Sequence, residues 1–301
     1  MGISRGMIKL LMREGKNEKY AGNVLTAGRQ DIYATADNIR KWAEEMEFHL
    51  ASNLKIHISD KEGFREKSYI TDETLFLALG FDKIDSMDYS DYEECTVVHD
   101  LNIDVPHEFH NRYDLIFDGG TSEHIFHLPK VLENYNRMLK VGGRIIHALP
   151  SSNHVDHGFY MFSPTLFVDY YSSNKWSITD SLFFQYFPQH DTKLWNIYSY
   201  MPGCLDRYSF GGFHKGMYGI FFVAQKTKKS TFNASVQQGS FLRTWNSSGM
   251  KPLTTDESTK SLWKHLFNLL PSRLRNIIGP IFYKVSCKFP ARFYLKLVAR
   301  F

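Results

Sequence analysis

Apolar positions come in two alternating patterns along the chain, and that alternation predicts the fold. Short runs that suit buried strands lie at NVLTAG (23–28), DKIDSMDYS (82–90), CTVVHDLN (95–102), YDLIFD (113–118), RIIHAL (144–149), SITDSLFFQYF (177–187) and MYGIFFVAQK (217–226). One-sided stripes with helical spacing fall between them. Ile39, Trp42, Met46 and Leu50 mark a helix over 36–50, and TDETLFLALG (71–80) marks a second, with Thr71 placed to cap its start and Gly80 to stop it. Val131, Leu132, Tyr135, Met138 and Leu139 mark a third, opened by Pro129, with Lys140 in its last turn and Gly142-Gly143 as its stop. SPTLFVDYYSSN (163–174) opens a fourth with Ser163 and Pro164.

Strands alternating with helices argue a sheet with right-handed crossovers. The expected class is therefore α/β: a doubly wound, mostly parallel, seven-stranded sheet. Residues 227–260 are polar and without sustained period, and read as a linker. The expected organisation is a sheet domain over 1–226 with a helical insertion at about 36–80, then the linker, then a tail over 261–301.

Composition changes this picture mainly in the tail. With 301 residues and 43% hydrophobic content the chain can bury one large core. Aromatic content is 15%, much of it after residue 155, where rings either line a pocket or fill the core. The net charge of +4 is unevenly spread: residues 251–301 hold ten Lys or Arg against two acids, and the remainder holds 26 against 30. Residues 261–301 contain no acid and carry two apolar stripes, Leu262, Leu266, Leu269 and Leu270, then Phe293, Leu297 and Val298. Prolines 271, 280 and 290 divide this tail into short helical pieces, none close to the roughly 20 apolar residues of a membrane span. Such pieces suit an anionic membrane surface. The competing reading packs the tail on the domain or on a second subunit, which leaves homo-oligomerisation open.

Nucleic acid is not expected as a partner, because the sheet domain is acidic and the tail is more apolar than phosphate tracking requires. Cys95, Cys204 and Cys287 show no metal-ligand spacing and read as thiols in a reducing compartment. The first twenty residues hold no apolar run suited to a signal peptide, and Gly6 stands where a myristoylation motif has Ser or Thr. The expected location is cytoplasmic, peripheral on the inner membrane face through the tail.

In a doubly wound sheet, ligands bind beyond the carboxyl ends of the strands near the switch in strand order. The residues there are Gly28, Arg29, Gln30 and Asp31, Asp85 to Asp88, Asp100, Leu101 and Asn102, and Asp118, Gly119 and Gly120. An acid at the second strand end, Asp88, can take the two ribose hydroxyls of a nucleoside. Asp100 can read an adenine edge while Leu101 packs on the ring, and Gly28 lets the first loop approach.

As an ordered set, AGRQ, SMDYS, HDLN, DGGTSEH and HGFYMFSP, with FDGGTSEHIFHLPKVLENYNRMLKVGGRII, resemble the class I S-adenosylmethionine (SAM)-dependent methyltransferases over roughly residues 20–226. More narrowly they are similar to bacterial methyltransferase-like proteins of surface polysaccharide or secondary-metabolite gene sets. The resemblance implies SAM as cofactor and the Rossmann-like methyltransferase sheet. It also implies O-methylation of a saccharide or other small polar acceptor in cell-surface glycan biosynthesis. The first loop, LTAGRQD, departs from the family's Gly-x-Gly-x-Gly turn. Because SAM has no pyrophosphate, a nest of amides is dispensable, and Arg29 can either fork onto the methionyl carboxylate or pair within the loop.

Methyl transfer to a hydroxyl calls for alignment and removal of a proton. His157 and His124 are the expected proton acceptors, and Glu123, His154, Phe159 and Tyr160 the expected acceptor-binding residues. Glu123, His124 and His127 are also spaced as metal ligands, and in some RNA and quinone-pathway O-methyltransferases a Glu-His pair here holds a divalent ion. Gly120 stands where those enzymes carry a further Glu, so no metal is expected. Glu123 and His124 are instead expected to cap the helix start and line the pocket. The alternative to an enzyme is a non-catalytic chain of the same fold that binds a nucleoside or a partner.

Overall fold

The computed structural model describes residues 2–52, 54–187, 193–206, 208, 213, 215–242 and 295–301. Helix α1 (Arg5–Asn17) was not expected from the apolar pattern; it buries Met7, Ile8, Leu10, Leu11 and Met12 against one face of the sheet. Strand β1 (Asn23–Ala27) follows, then α2 (Ala36–Glu45), whose Thr35 and Asn38 cap each other reciprocally. The expected 36–50 helix stops five residues early. Helix α3 (Asp72–Leu79) begins with the Thr71 hydroxyl accepting from the Thr74 amide and ends at left-handed Gly80, as expected.

Next come β2 (Lys83–Asp88), a two-residue β3 (Val97–Val98), β4 (Tyr113–Asp118), α4 (Leu128–Met138) and β5 (Leu139–Pro150). Helix α5 (Pro164–Ser173), β6 (Ser177–Tyr186), β7 (Asn196–Ser199), β8 (Met217–Gln225) and β9 (Leu297–Arg300) complete the chain.

The strands form one sheet in the order β3-β2-β1-β4-β5-β8-β6-β7-β9. From β3 to β5 all neighbours are parallel, whereas β8 runs antiparallel between β5 and β6. Apolar clusters cover both faces, one under α4 and α5, the other under α1, α2 and α3. This is a doubly wound, mostly parallel α/β sheet, with nine strands among the described residues rather than seven. The two additions are short edge strands that pair β6 with β7 and β7 with β9.

Three further expectations are corrected. The glycine pair does not stop α4, which ends at Met138; Gly142 and Gly143 lie in a bulge within β5, where the register with β4 jumps from Tyr113/Leu139 to Leu115/Arg144. The end of α4 is instead held by Lys226, whose Nζ donates to the carbonyls of Asn136 and Leu139. The stretch expected as a linker is packed on α5 where it is described: Trp176 Nε1 donates to the Thr231 carbonyl, and the Asn174 carboxamide oxygen accepts from the Thr231 hydroxyl and the Ala234 amide. The tail ends in a strand rather than a helix over 297–300, and Phe301 and Trp195 exchange backbone hydrogen bonds of 3.1 and 2.7 Å. Residues 243–294, with Cys287 and most of the two apolar stripes, lie outside the described residues. Among the described residues no helix is long and apolar enough to cross a membrane.

Candidate active site

The chain leaves β1 toward β2 and β3 and returns on the other side as β4, so the switch in strand order lies between β1 and β4. At the carboxyl ends of these strands opens a cleft of about 440 Å³. Gly28, Arg29, Gln30, Asp88, Asp100, Leu101, Asn102, Gly120 and His124 line it, together with Tyr89, His99 and Thr121, which the sequence did not single out. Tyr89 had a signal: it follows Asp88 directly at the end of β2.

Gly28 turns the chain at φ +68° while its amide donates to the Met87 carbonyl, and a Cβ there would lie 3.0 Å from Thr121 Oγ1 and 3.4 Å from Asp88 Oδ2. Only glycine combines that backbone with an unobstructed floor. Asp88 Oδ1 accepts from the Tyr89 amide at 2.7 Å, which leaves Oδ2 on the side of Gly28. Asp100 Oδ1 accepts from both the backbone and side-chain nitrogens of Asn102, and these bonds hold the carboxyl below the usual carboxylate range. The cleft thus presents two carboxylates from adjacent strand ends over a glycine floor.

Arg29 adopts the loop pairing: its guanidinium lies 3.0 Å from Asp72 and donates to the Glu94 carbonyl. Gln30 folds under the loop, donating to the carbonyls of Ala27 and Gly28, and its Oε1 is buried without a partner among the described residues.

Two expected cofactor residues do not reach the cleft. Asp118 is wholly buried and accepts from the Ser122 hydroxyl at 2.6 Å, the Thr121 and Ser122 amides, and His147 Nδ1 at 2.9 Å. His147 Nε2 in turn meets the Tyr171 hydroxyl at 2.7 Å. This buried chain pins the 122–124 turn to β5 and α5. Gly119 faces the opposite side of the sheet, against the Phe117 ring and Gln30, because successive residues at a strand end point to opposite faces.

Beyond His124 the acceptor side takes shape. Glu123 is fully buried, and both of its carboxyl oxygens lack a hydrogen-bond partner among the described residues. Burial first, and then the nearby Asp118 carboxylate, push its carboxyl up to about 8. Its Oε1 lies 3.6 Å from His157 Nε2 and 3.9 Å from His124 Nε2, and the two imidazole centroids are 5.1 Å apart. Gly158 permits this approach, since a Cβ there would sit 2.9 Å from the Glu123 carbonyl oxygen and 3.1 Å from His124 Nδ1. Burial lowers the imidazoles of His124 and His157, with His157 a further cause for His124.

His154 lies behind His157, buried, with Nε2 3.2 Å from the Tyr186 hydroxyl; burial takes its imidazole down to about 4. His127 does not join Glu123 and His124: it stands at the start of α4, where its amide donates to Asn102. Phe159 and Phe126, both exposed, meet edge to face at 5.9 Å, and the Tyr160 hydroxyl donates to the Phe126 carbonyl. Phe159, Tyr160, His154 and His157 stand beyond the cleft lining rather than within it.

No family model matches the chain, and no curated protein matches it. Several solved structures overlay it loosely. A Burkholderia thailandensis 1,6-didemethyltoxoflavin-N1-methyltransferase, crystallised with 1,6-didemethyltoxoflavin and S-adenosylhomocysteine, is 11% identical over 73% of this chain and 77% of that one, with a TM-score of 0.37. A SAM-dependent methyltransferase from Thermotoga maritima is 12% identical over 74% and 90%, with a TM-score of 0.35. Haemonchus contortus phosphoethanolamine N-methyltransferase 2, in complex with SAM, is 12% identical over 73% and 52%, with a TM-score of 0.37. Overlaps of this size carry no argument about fold, acceptor or chemistry. The sheet order stands on the chain's own strand pairing.

Proposed function

We propose that the chain is a SAM-dependent methyltransferase that acts on a hydroxyl of a small polar acceptor, a saccharide being the class of first choice. The observation that supports this best is the continuity of the site: two carboxylates at adjacent strand ends lead, over Gly28 and Gly120, to the Glu123, His124 and His157 cluster.

The residues fit such a cofactor. The Asp88 carboxylate suits a vicinal diol, the Asp100 carboxylate suits the exocyclic amine of a purine, and the bare floor at Gly28 admits close approach of a ligand. SAM supplies an electrophilic methyl group on a sulfonium. Arg29, already paired with Asp72, would hold the loop rather than the ligand, as would Gln30, so the methionyl end is left to backbone groups of the first loop.

The chain's own part is to align and deprotonate. His157 Nε2, on an imidazole that burial holds below its usual range, takes the hydroxyl proton, and His124 sits between it and the cofactor cleft. Glu123, protonated at neutral pH, lies beneath both imidazoles. The Phe126 and Phe159 rings offer an apolar edge on which one face of a sugar ring can rest. We further propose that the acid-free tail holds the enzyme at an anionic membrane surface.

The test uses SAM carrying an isotopically labelled methyl group, incubated with extracted polar metabolites and glycans. Label should enter a small acceptor with the wild type and not with Asp88→Ala. Absence of labelled product across hydroxylated acceptors, together with unaltered SAM, would favour the non-catalytic alternative.

A further inference from the structure

We propose that Glu123, His124 and His157 together bind one divalent cation of the zinc, iron, manganese and cobalt class. One carboxylate oxygen and one nitrogen from each imidazole lie within 4.8 Å of one another. That spacing needs only small side-chain rotations to close around an ion with ligand bonds of about 2.0–2.2 Å. Two imidazoles and a carboxylate form a mixed donor set that suits these cations better than calcium or magnesium.

Independent of that grouping, the Glu123 carboxyl is wholly buried with neither oxygen partnered among the described residues, while its Oε1 points at both imidazole nitrogens. A buried polar group without a partner is costly and calls for a ligand. The histidine side chains are 45% and 39% exposed, so the mouth of the cluster is open to an entering ion. The carboxylate is also braced from behind: Asp118 fixes the 122–124 turn through the Ser122 hydroxyl and two amides. Gly158 is the residue that lets His157 close over the carboxylate.

The grouping differs from the one the sequence suggests. His127 completes the Glu-His-x-x-His spacing on paper, yet in the fold it belongs to the start of α4, and His157, 34 positions beyond Glu123, takes its place. Three protein ligands leave further positions of the cation for water or for oxygen atoms of an acceptor. In the loaded site the cation, rather than a free imidazole, would loosen the proton of a bound hydroxyl. That role rests on the methyl-transfer reading, whereas the binding of the cation does not.

Cobalt(II) tests it. Full-length protein stripped with a chelator and dialysed is titrated with Co²⁺ while the visible d–d bands and the bound metal are followed. One equivalent per chain should bind with bands that saturate at a ratio of one. Glu123→Gln and His157→Ala should each lose the stoichiometric step, and His127→Ala should keep it. Circular dichroism and thermal melts of the variants separate ligand loss from unfolding. Absence of a stoichiometric step in the folded wild type, its survival in both Glu123→Gln and His157→Ala, or its loss in folded His127→Ala would overturn the proposal. Failure of SAM to bind would leave this result unaffected, so the two readings fail separately.

Discussion

Replacing Glu123 by Gln in chelator-treated protein should change how stability depends on pH. Burial and Asp118 place the carboxyl at about 8 in the fold, against 4.5 for an ordinary glutamate. A carboxyl raised in the native state binds its proton more tightly there than in the unfolded chain. Its favourable contribution is therefore complete below the unfolded value and is lost as pH climbs toward the folded one.

Between about pH 5 and 8 the unfolded chain sheds this proton while the native chain largely keeps it, at about 1.4 kcal/mol per pH unit. The wild type should thus lose roughly 4 kcal/mol to this one group, and the loss should level off beyond about pH 8. For a chain of this size that corresponds to a fall in Tm on the order of 5–10 °C. Glutamine keeps the shape and cannot titrate, so the variant's profile should be flatter by that amount and cross the wild-type curve. Differential scanning calorimetry at half-unit pH steps reads it directly. Parallel profiles for the two proteins would show that the carboxyl is not held protonated, and the reasoning about its burial would fail.

Three other outcomes are expected. Gly28→Ala forces a side chain into a left-handed backbone and 3.0 Å from Thr121 Oγ1, so it should cost about 1–2 kcal/mol in a denaturant titration and weaken SAM binding in calorimetry; an unchanged midpoint would contradict it. Lys226→Met leaves the Asn136 and Leu139 carbonyls at the end of α4 without their donor and should cost roughly 2–4 kcal/mol, read as a lower denaturant midpoint at constant slope. Changing the seven Lys and Arg at 260, 264, 273, 275, 284, 288 and 292 to Gln leaves β9 intact and should abolish co-sedimentation with anionic liposomes; retention at the wild-type level would remove the membrane reading.

The strands and helices that carry the sheet were legible because each buries enough apolar residues to impose a period. NVLTA and YDLIFD read as buried strands, and Thr71 with Gly80 marked both ends of α3. Strands β7 and β9 are four residues each, too short for a period, and β9 lies at the far end of a tail whose stripe had suggested a helix. Helix α1 was weighed in the sequence only as a possible leader and rejected as one, so the stripe of Met7, Ile8, Leu10, Leu11 and Met12 that it buries went unread.

At the site, Gly28, Asp88, Asp100 and Gly120 were legible from one rule, that ligands sit at strand ends. The same rule misled at Gly119, because a strand end alternates its faces, and at Asp118, whose carboxylate is buried in its bonds to Ser122 and His147; only Gly120 emerges in the cleft. The partnership of Glu123 with His157 was beyond reach of spacing. It depends on the loop after β5 crossing the 122–124 turn, with Gly158 thin enough to let it settle.

The most direct test of the central claim is calorimetric titration of the intact protein with SAM. Binding with one site per chain is expected, with Asp88→Ala weakening it by about 10- to 100-fold, the loss of a charge-assisted hydrogen-bond pair. No heat with the wild type, or undiminished affinity in a folded Asp88→Ala variant, would contradict the assignment of this cleft to the cofactor.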